Sequence, residues 1–364
     1  MPLQSACLRA RDLAGRWFLD SGIQEPFGGV ARYYRSDLCR NLRVSTEITG
    51  YAAATLAWLH ALTGERAYLE AALRAGRFLT RTAWDRAALL FPFEYSVDGD
   101  VAPPLAYFFD HGITLRGLLS LWRVTGDAEF LETATRSAPA MARDFDAGRE
   151  FHPVLALPGK EPAPGDARWS RKPGCYQLKS ALAFRELFAA TGEARFREAY
   201  DRVLDYSLET HASFLDAPPG PALMDRLHAY CYFLEGLLPC ANRPEIARVF
   251  AAGIERTGRL GEELAPEFER SDVRAQLFRL RLFAARLGLA PLAADAAAHE
   301  AARILEFQLE RPDARLRGGF CFGRRGSQLL PFVNPASTAF CVQALEMWRA
   351  HQAGQFEPAW QVLI

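Results

Sequence analysis

The stretch Thr63-Gly-Glu-Arg-Ala-Tyr-Leu-Glu-Ala-Ala72 recurs twice further along the chain. The copies read Thr125-Gly-Asp-Ala-Glu-Phe-Leu-Glu-Thr-Ala134 and Thr191-Gly-Glu-Ala-Arg-Phe-Arg-Glu-Ala-Tyr200. In each copy a glycine stands where the end of a helix needs a residue in the left-handed conformation. The acidic residue that follows suits the positive end of the next helix. The repeat therefore predicts a helical hairpin that returns at nearly equal intervals along the chain.

The helix before each Thr-Gly turn is strongly apolar, whereas the helix after it is amphipathic, with apolar positions three and four residues apart. Weaker copies of this alternation continue along the chain. The predicted apolar, inner helices cover residues 47–62, 110–124, 176–190, 228–238, 272–287 and 334–350. The predicted amphipathic, outer helices cover residues 67–80, 128–143, 194–208, 243–256, 292–309 and, from the N-terminus, 3–19. Six inner and six outer helices would close a ring, so a chain of 364 residues is predicted to form one all-α domain over residues 1–364.

Long segments rich in Pro, Gly and aromatic residues connect each outer helix to the next inner helix. They cover residues 24–45, 84–108, 148–173, 216–226, 259–271 and 312–333. All of them fall on one side of the predicted ring, whereas the Thr-Gly turns on the other side are short. Because loops longer than about 12–15 residues usually carry function, this asymmetry predicts a cup with a binding site at its mouth.

Composition excludes several classes of partner. Lys plus Arg and Asp plus Glu both number 43, and this balance argues against nucleic-acid binding and against a polybasic membrane anchor. No apolar run is long enough to span a bilayer, and Arg9, Arg11 and Arg16 interrupt the apolar positions that a signal peptide would need. Seven cysteines without regular spacing are typical of reduced thiols. We therefore expect a cytoplasmic protein without a membrane span.

Candidate functional residues cluster at the starts of the predicted inner helices, which should face the mouth of the cup. They are Thr46, Glu47, Tyr51, Asp110, His111, Tyr176, Lys179, His228, Tyr232, Asp272, Arg274, Gln276, Asn334 and Ser337. Such positions also present free backbone N–H groups, so their convergence predicts a ligand site. Helix capping is the structural alternative for Thr46, Asp110, Asp272 and Asn334.

Two kinds of acid/base chemistry are compatible with these residues. Opposed carboxylates, chosen from Glu47, Asp110 and Asp272, would suit glycoside hydrolysis by an acid and a base or nucleophile. A pair made of His228 with a tyrosine, Tyr176 or Tyr232, would suit proton abstraction next to a carboxylate, as in a lyase or an epimerase. In that case Lys179 or Arg274 would neutralise the carboxylate of the substrate.

Other chemistries lack their sequence signals. The chain has no Gly-rich phosphate loop in a strand–helix setting and no Gly-x-Ser-x-Gly elbow. None of the cysteines forms a Cys-x-x-Cys pair. The expectation is therefore a site without a metal or a cofactor.

The run Glu47-Ile-Thr-Gly-Tyr51, the Thr-Gly turns, Leu227-His228 with Tyr232, and Asn334 with Ser337 resemble the six-hairpin (α/α)6-toroid superfamily over almost the whole chain. The nearest group consists of proteins encoded in bacterial exopolysaccharide gene clusters. Unsaturated glucuronyl hydrolases and N-acylglucosamine 2-epimerases are distantly similar. This resemblance implies an all-α (α/α)6 toroid. The family pattern carries over to Glu47, Thr49, Gly50, Tyr51, Asp110, Gly112, His228 and Glu235.

The chain departs from these relatives at positions that concern chemistry. It lacks the paired Asp-Asp run of the glucuronyl hydrolases, and only His111 with His228 could supply the histidine pair of the epimerases. Protein prenyltransferases and triterpene cyclases also use an α/α toroid. The Asp-x-Asp-Asp motif of the cyclases is absent, and Asp98-Gly-Asp100 in a loop does not replace it.

We expect an enzyme of polysaccharide metabolism that binds a saccharide or oligosaccharide and hydrolyses, eliminates or epimerises a sugar unit. Its expected catalytic residues are Glu47 and Asp110 as acid/base carboxylates, with His228 and Tyr176 as proton-transfer partners. Its expected substrate-binding residues are Tyr51, His111, Lys179, Tyr232, Asp272, Arg274, Gln276 and Asn334. The alternatives are a non-catalytic glycan-binding or assembly protein of exopolysaccharide biosynthesis and a toroid that acts on prenyl chains as a cyclase or transferase.

Overall fold

A computed structural model of the chain describes residues 3–95 and 104–364; Asp98 and Asp100 lie outside them. The α-helices in this part of the chain are α1 Leu3–Asp20, α2 Thr46–Thr63, α3 Arg66–Phe78, α4 Phe108–Thr125, α5 Ala128–Asp144, α6 Gln177–Thr191, α7 Ala194–Phe214, α8 Pro221–Leu237, α9 Pro244–Leu264, α10 Ser271–Arg286, α11 Ala294–Leu305 and α12 Pro335–Gln352. The predicted alternation of inner and outer helices is confirmed, and the fold is an (α/α)6 toroid. None of the described helices is long and apolar enough to cross a membrane.

The Thr-Gly turns form as the repeat predicts. Gly64 has a φ of 75°, and the glycines of the other two copies adopt the same left-handed conformation. The Thr63 hydroxyl donates to the Leu59 carbonyl at 2.8 Å and accepts the N–H of Glu65 at 3.2 Å. The threonines of the other two copies make the same pair of hydrogen bonds. The threonine thus ends one helix and orients the start of the next, which explains why it accompanies the glycine.

The chain divides into two compact units, and each is described by itself. The first unit contains Tyr33–Asn41, Leu215–Ile364 and the N-terminal segment that ends at Ile23. The second unit contains Gln24–Arg32 and Leu42–Phe214. The expectation of one domain over residues 1–364 stays a prediction.

In the second unit, the inner helices α2, α4 and α6 pack side by side at glycine positions. A Cβ atom on Gly50 of α2 would lie 2.9 Å from Cα of Thr114 in α4. On the facing side, a Cβ atom on Gly117 would lie 2.6 Å from the Gly50 carbonyl oxygen. The absence of these Cβ atoms lets the two helices approach closely. As a result, the first turns of α2 and α4, which carry Glu47 and Asp110, lie together.

In the first unit, α10 packs between α8 and α12, and α1 packs on α11 and α12. A fully buried ion pair joins two of these helices: Nη2 of Arg279 in α10 lies 2.6 Å from Oε1 of Glu235 in α8. Arg279 also donates to Oε1 of Gln343 in α12 at 2.8 Å. Glu235, which the family resemblance singled out, is therefore part of the core that holds these helices together.

The long segments before the inner helices contain short strands that the sequence analysis did not predict. These are β1 Val30–Arg35, β2 Arg40–Ser45, β3 Glu94–Tyr95, β4 Leu105–Tyr107, β5 Val154–Ala156, β6 Glu161–Pro162, β7 Phe268–Arg270, β8 Gly323–Arg325, β9 Gln328–Leu329 and β10 Phe332–Val333. In the second unit, β2 pairs with β3, and β5 pairs with β4 and β6, all antiparallel. In the first unit, Tyr34 and Arg35 of β1 pair with β10, and β8 pairs with β7 and β9. A strand directly precedes α2, α4 and α10, so strand pairing fixes the first turns of these helices.

Several predicted helix ends differ from the observed ones. Helix α8 begins at Pro221, a residue favoured in the first helical position, so His228 lies two turns inside the helix instead of at its start. Helix α11 ends at Leu305, before the predicted residue 309, because the backbone of Leu309 pairs with that of Gly319. The residue that caps α2 is Ser45, whereas the sequence offered Thr46 for this role. The Ser45 hydroxyl accepts the Ile48 N–H at 3.4 Å.

Candidate functional site

The second unit holds a pair of neighbouring carboxyl groups in a largely apolar environment. Glu47 is the second residue of α2 and is partly exposed, and Asp110 is the third residue of α4 and is 7% exposed. Burial raises the pKa of Glu47 to about 7, against an opposing effect of the Arg32 charge. Burial and the charge of Glu47 raise the pKa of Asp110 well above its usual value. At neutral pH the pair therefore retains a proton, as expected of two carboxyl groups that share one site.

Asp110 has an additional feature that capping does not explain. Its Oδ2 is buried and has no hydrogen-bond partner among residues 3–95 and 104–364. An unpartnered buried oxygen is unfavourable unless it carries a proton or accepts a ligand. The side chain of Tyr107, which precedes α4, does not cap this helix. The Asp110 carboxyl group interacts with its own backbone N–H in the first turn, yet its Oδ2 stays without a partner among the described residues.

Arg32 is the basic residue nearest this pair, and the sequence analysis missed it. Its Nη1 donates to Oε1 of Glu94 at 3.2 Å, and its guanidinium carbon lies 4.7 Å from the centre of the Phe93 ring. Arg43 binds the other oxygen of Glu94 at 2.9 Å. Glu94 thus holds Arg32 where its charge acts on both Glu47 and Asp110.

Aromatic side chains lie near Asp110, since its charge acts on both Tyr107 and Tyr176. The rings of Phe93 and Tyr107 have their centres 4.8 Å apart, and those of Trp169 and Tyr176 are 4.9 Å apart. The Tyr176 hydroxyl donates to the Lys172 carbonyl at 3.0 Å, and burial raises its pKa. The hydroxyl proton of Tyr176 is thus engaged by the backbone, and the expected role of Tyr176 in proton transfer stays a prediction. Sugar rings stack on such aromatic faces.

His111 follows Asp110 in sequence but makes a separate set of contacts. Its Nδ1 accepts the Phe91 N–H at 3.3 Å, and its Nε2 lies 3.0 Å from the hydroxyl of Ser137 in the outer helix α5. That hydroxyl donates to the Leu89 carbonyl at 2.7 Å, so Nε2 of His111 carries the hydrogen. Burial lowers the pKa of His111 to about 3. Both ring nitrogens are satisfied, so we leave His111 out of the proposed site.

Two further candidates in the second unit lie inside the inner helices. Lys179 in α6 is fully buried, and Tyr51 in α2 is 2% exposed. A buried lysine requires hydrogen-bond acceptors around it. Their assignment to substrate binding stays a prediction.

The first unit holds a neutral histidine within a cluster of polar side chains. Nδ1 of His228 lies 2.7 Å from Oε1 of Gln276 and 3.7 Å from Oδ2 of Asp272. Burial, with the Arg270 charge as the next cause, lowers the pKa of His228 to about 4. In this neutral form Nδ1 donates to the amide oxygen and Nε2 keeps its lone pair. The ring of Tyr232, one turn further along α8, lies 4.5 Å from the imidazole.

Asp272 is held by Arg270, another residue that the sequence analysis missed. Arg270 binds both oxygens of Asp272, at 2.9 and 2.7 Å, and also Asp225 at 2.7 Å. Burial alone would raise the pKa of Asp272, but the charge of Arg270 holds it below its usual value. Asp272 is therefore an ionised partner of Arg270 and not a proton donor at neutral pH.

The remaining candidates of the first unit divide into two groups. Nη1 of Arg274 donates to Glu262 of the outer helix α9 at 2.8 Å, and Arg274 also contacts Glu269, so its charge is engaged away from His228. Asn334 caps α12 by accepting the N–H groups of Ala336 and Ser337. In contrast, Nε2 of Gln276 and Oγ of Ser337 are buried without a hydrogen-bond partner in the described part of the chain.

The structure therefore brings together Glu47 and Asp110 in the second unit. In the first unit it brings together His228, Tyr232, Asp272 and Gln276. No group of three or more His, Cys, Asp or Glu side chains within the described ranges could hold a metal ion.

Comparisons with known proteins support the fold. No protein-family model matches the chain, and no curated protein matches it. The cellobiose 2-epimerase from Spirochaeta thermophila is similar in structure, with a TM-score of 0.70 and 17% sequence identity over 95% of this chain and 99% of that one. A sugar epimerase from a ruminal bacterium has a TM-score of 0.72 and 12% identity, with the same coverage of both chains. An unsaturated glucuronyl hydrolase from Streptococcus agalactiae has a TM-score of 0.60 and 11% identity over 95% of this chain and 90% of that one.

These similarities agree with the (α/α)6-toroid fold that the sequence predicts. At such low sequence identity, these similarities support the fold but do not identify a reaction. The link to exopolysaccharide gene clusters stays a prediction.

Proposed function

We propose that the protein is a carbohydrate-active enzyme that hydrolyses a glycosidic bond with the carboxyl pair of the second unit. The observation that carries this proposal is the pair of neighbouring carboxyl groups, Glu47 and Asp110, whose pKa values burial raises. Glycoside hydrolysis needs one protonated and one ionised carboxyl group, and such a pair can supply both. The similar structures support the choice of substrate class, since two are named as sugar epimerases and one as a glucuronyl hydrolase.

The two carboxyl groups take different roles. Burial, and next the charge of Glu47, raise the pKa of Asp110 well above its usual value, so we assign the proton of the pair to Asp110. Asp110 is thus the general acid that protonates the leaving oxygen of the sugar. Glu47, with a pKa of about 7, is the base or nucleophile at neutral pH. Arg32 stabilises the charge that remains on the pair, and the aromatic rings of Phe93 and Tyr107 provide a stacking surface.

A second candidate function is epimerisation of a sugar by proton abstraction, with His228 of the first unit as the base. The specific observation is its neutral imidazole, in which Gln276 binds Nδ1 and leaves the lone pair of Nε2 available. The adjacent Tyr232 ring would pack against the substrate. The likeness to two sugar epimerases supports this candidate.

A single assay separates the two reactions. The protein is incubated in D2O with neutral sugars, uronic acids and oligosaccharides, and the products are followed by NMR. Hydrolysis releases new reducing ends without exchange of carbon-bound hydrogen, whereas epimerisation incorporates deuterium at the inverted carbon.

Substitutions at Glu47 and Asp110 test the catalytic roles of these two residues. Glu47→Gln and Asp110→Asn should each lower hydrolytic kcat/KM by about 100-fold or more, since acid/base groups contribute factors of this size. Glu70→Gln, on the exposed face of α3, is the matched control and should leave the rate unchanged. Full activity of both carboxyl variants would contradict the proposal. Tight sugar binding without turnover in the wild type would favour the glycan-binding alternative instead.

A further inference from the structure

We propose that Arg171 binds an anionic group of the sugar ligand, a carboxylate or a phosphate, and so selects acidic sugars. This assignment rests on the proposed function, because it takes the ligand of the second unit to be a sugar.

Arg171 has no acidic partner among residues 3–95 and 104–364. No carboxylate in these ranges forms an ion pair with it, and no acceptor in them binds its side-chain N–H groups. Its Nε is buried. Other arginines of this region are paired, for example Arg32 with Glu94 and Arg168 with Asp166. A partly buried guanidinium group that lacks a partner is unfavourable unless a ligand supplies the counter-charge.

Arg171 is held in a fixed position. It ends the 3₁₀ turn Trp169–Arg171, and its guanidinium carbon lies 5.2 Å from the centre of the Tyr107 ring. Trp169 in the same turn packs edge-on against Tyr176, and the Tyr176 hydroxyl holds the Lys172 carbonyl directly after the turn. Because the turn and the guanidinium group are both anchored, little conformational entropy is lost when an anion binds.

Arg171 also lies on the side of the second unit that carries the carboxyl pair. Tyr107 directly precedes α4 and lies three residues before Asp110. Burial raises the pKa of Tyr107, and the charges of Arg171, Asp110 and Arg32 all act on it. Tyr107 thus lies near both Arg171 and Asp110, and its ring offers a surface on which a sugar can stack.

The guanidinium group of Arg171 favours an anionic ligand over a neutral one. A guanidinium fork binds carboxylate and phosphate groups through two parallel hydrogen bonds, which a neutral sugar hydroxyl does not match. The carboxyl pair retains a proton at neutral pH, so it repels an acidic ligand less than two ionised carboxylates would. Arg171 therefore takes the role that the sequence analysis gave to Arg274, whose charge Glu262 and Glu269 engage.

Binding measurements test this inference directly. Dissociation constants are measured by calorimetry for D-glucuronate, D-glucose 6-phosphate and D-glucose. The wild type should bind at least one of the acidic sugars more tightly than glucose, and the preference between them distinguishes a carboxylate from a phosphate ligand. Arg171→Gln should weaken binding of the preferred acidic sugar by about 10- to 100-fold and leave glucose binding unchanged. Arg171→Lys should recover part of the lost affinity.

Arg168→Gln is the matched control, since Arg168 lies in the same loop, is exposed and is paired with Asp166. It should bind all three ligands like the wild type. Equal affinity of the wild type for glucose and both acidic sugars would overturn the inference, and so would an Arg171→Gln variant with unchanged affinity for the acidic sugar. Turnover separates the two proposals. Loss of acidic-sugar binding in Arg171→Gln without any turnover by the wild type contradicts only the proposed hydrolysis. Hydrolysis by the wild type, together with unchanged affinity of Arg171→Gln for the acidic sugar, contradicts only this inference.

Discussion

Glu47 and Asp110 are carboxyl groups whose pKa values are raised chiefly by burial. Sequence analysis singled out Glu47 because a carboxylate inside an apolar helix needs a partner or a function. The structure adds that the charge of Glu47 is the next cause of the raised pKa of Asp110. Polar groups with strongly raised pKa values cluster at functional sites, which is why this pair outweighs the other candidates.

The raised pKa of Glu47 has a consequence for stability. A carboxyl group with a pKa of 4.5 in the unfolded chain and about 7 in the folded protein favours folding below pH 4.5, and this contribution is lost as the pH rises through 7. Glu47→Gln replaces this carboxyl group with an amide that does not titrate. We expect the variant to unfold with the same free energy as the wild type near pH 5, and with a free energy higher by on the order of 2 kcal/mol at pH 8. Denaturant unfolding at both pH values measures this, with Glu70→Gln as control; a variant that is less stable than the wild type at pH 8 would contradict it.

His111 illustrates how two residues adjacent in sequence can make separate sets of contacts. Adjacent residues of a helix point about 100° apart, so Asp110 and His111 face different surroundings. His111→Leu should lower the free energy of unfolding by about 1–3 kcal/mol at pH 7, because the Phe91 N–H loses its acceptor. The pKa of His111 is about 3 in the folded protein and near 6.5 in the unfolded chain, so the wild type loses stability as the pH falls below 6.5. The difference in free energy of unfolding between the wild type and His111→Leu should therefore narrow at low pH. Activity per folded molecule should stay unchanged, and His299→Leu, at an exposed position, is the control.

At the scale of elements, the helices were predictable and the strands were not. The helices can be predicted from local periodicity and from the Thr-Gly turns, because both depend on residues only a few positions apart. The strands are two to six residues long, and their partners lie far away, as when Val44 of β2 pairs with Tyr95 of β3. Such short segments carry no alternating pattern, so only the folded chain reveals them.

The close approach of the inner helices is a second property of elements, and glycine makes it possible. A Cβ atom on Gly112 of α4 would lie 2.4 Å from the Ser180 carbonyl oxygen of α6, which is part of a helix backbone and cannot move aside easily. Gly112→Ala should therefore lower the free energy of unfolding by about 1–3 kcal/mol or more.

Gly261 in α9 provides the matched control for this change. No atom lies within 4 Å of its added Cβ position, so Gly261→Ala should stabilise the protein by about 0.5–1 kcal/mol through helix propensity alone. Denaturant unfolding of both variants measures the contrast. Shifts of the same sign would show that helix packing does not depend on Gly112 as described.

At the scale of the whole molecule, the toroid was predictable because its hairpin repeats through the chain. The basic residues of the two clusters were not predictable. Arg32 and Arg270 lie in strands before inner helices, and the acid that holds Arg32 is Glu94, which is distant in sequence. Ion pairs of this kind depend on the tertiary fold, whereas the carboxylates of inner helices stand out against an apolar background.

A sugar that binds the folded protein must also stabilise the molecule as a whole. At about 100 times its dissociation constant, a ligand adds roughly 2.7 kcal/mol to the free energy of unfolding. In a thermal-shift panel we expect sugars to raise the melting temperature and prenyl diphosphates to leave it unchanged. Stabilisation by prenyl diphosphates alone would favour the cyclase or transferase alternative.

The most direct measurement is a carbon-13 NMR titration of the side-chain carboxyl groups in the wild type and in the Glu47→Gln and Asp110→Asn variants. The expected result is a carboxyl group that titrates near pH 7 in the wild type and disappears in Glu47→Gln. In Glu47→Gln the pKa of Asp110 should fall, because the charge that raises it has been removed. Titration of every carboxyl group of the wild type below pH 5 would contradict a carboxyl pair that holds a proton at neutral pH, and with it the proposed acid/base chemistry.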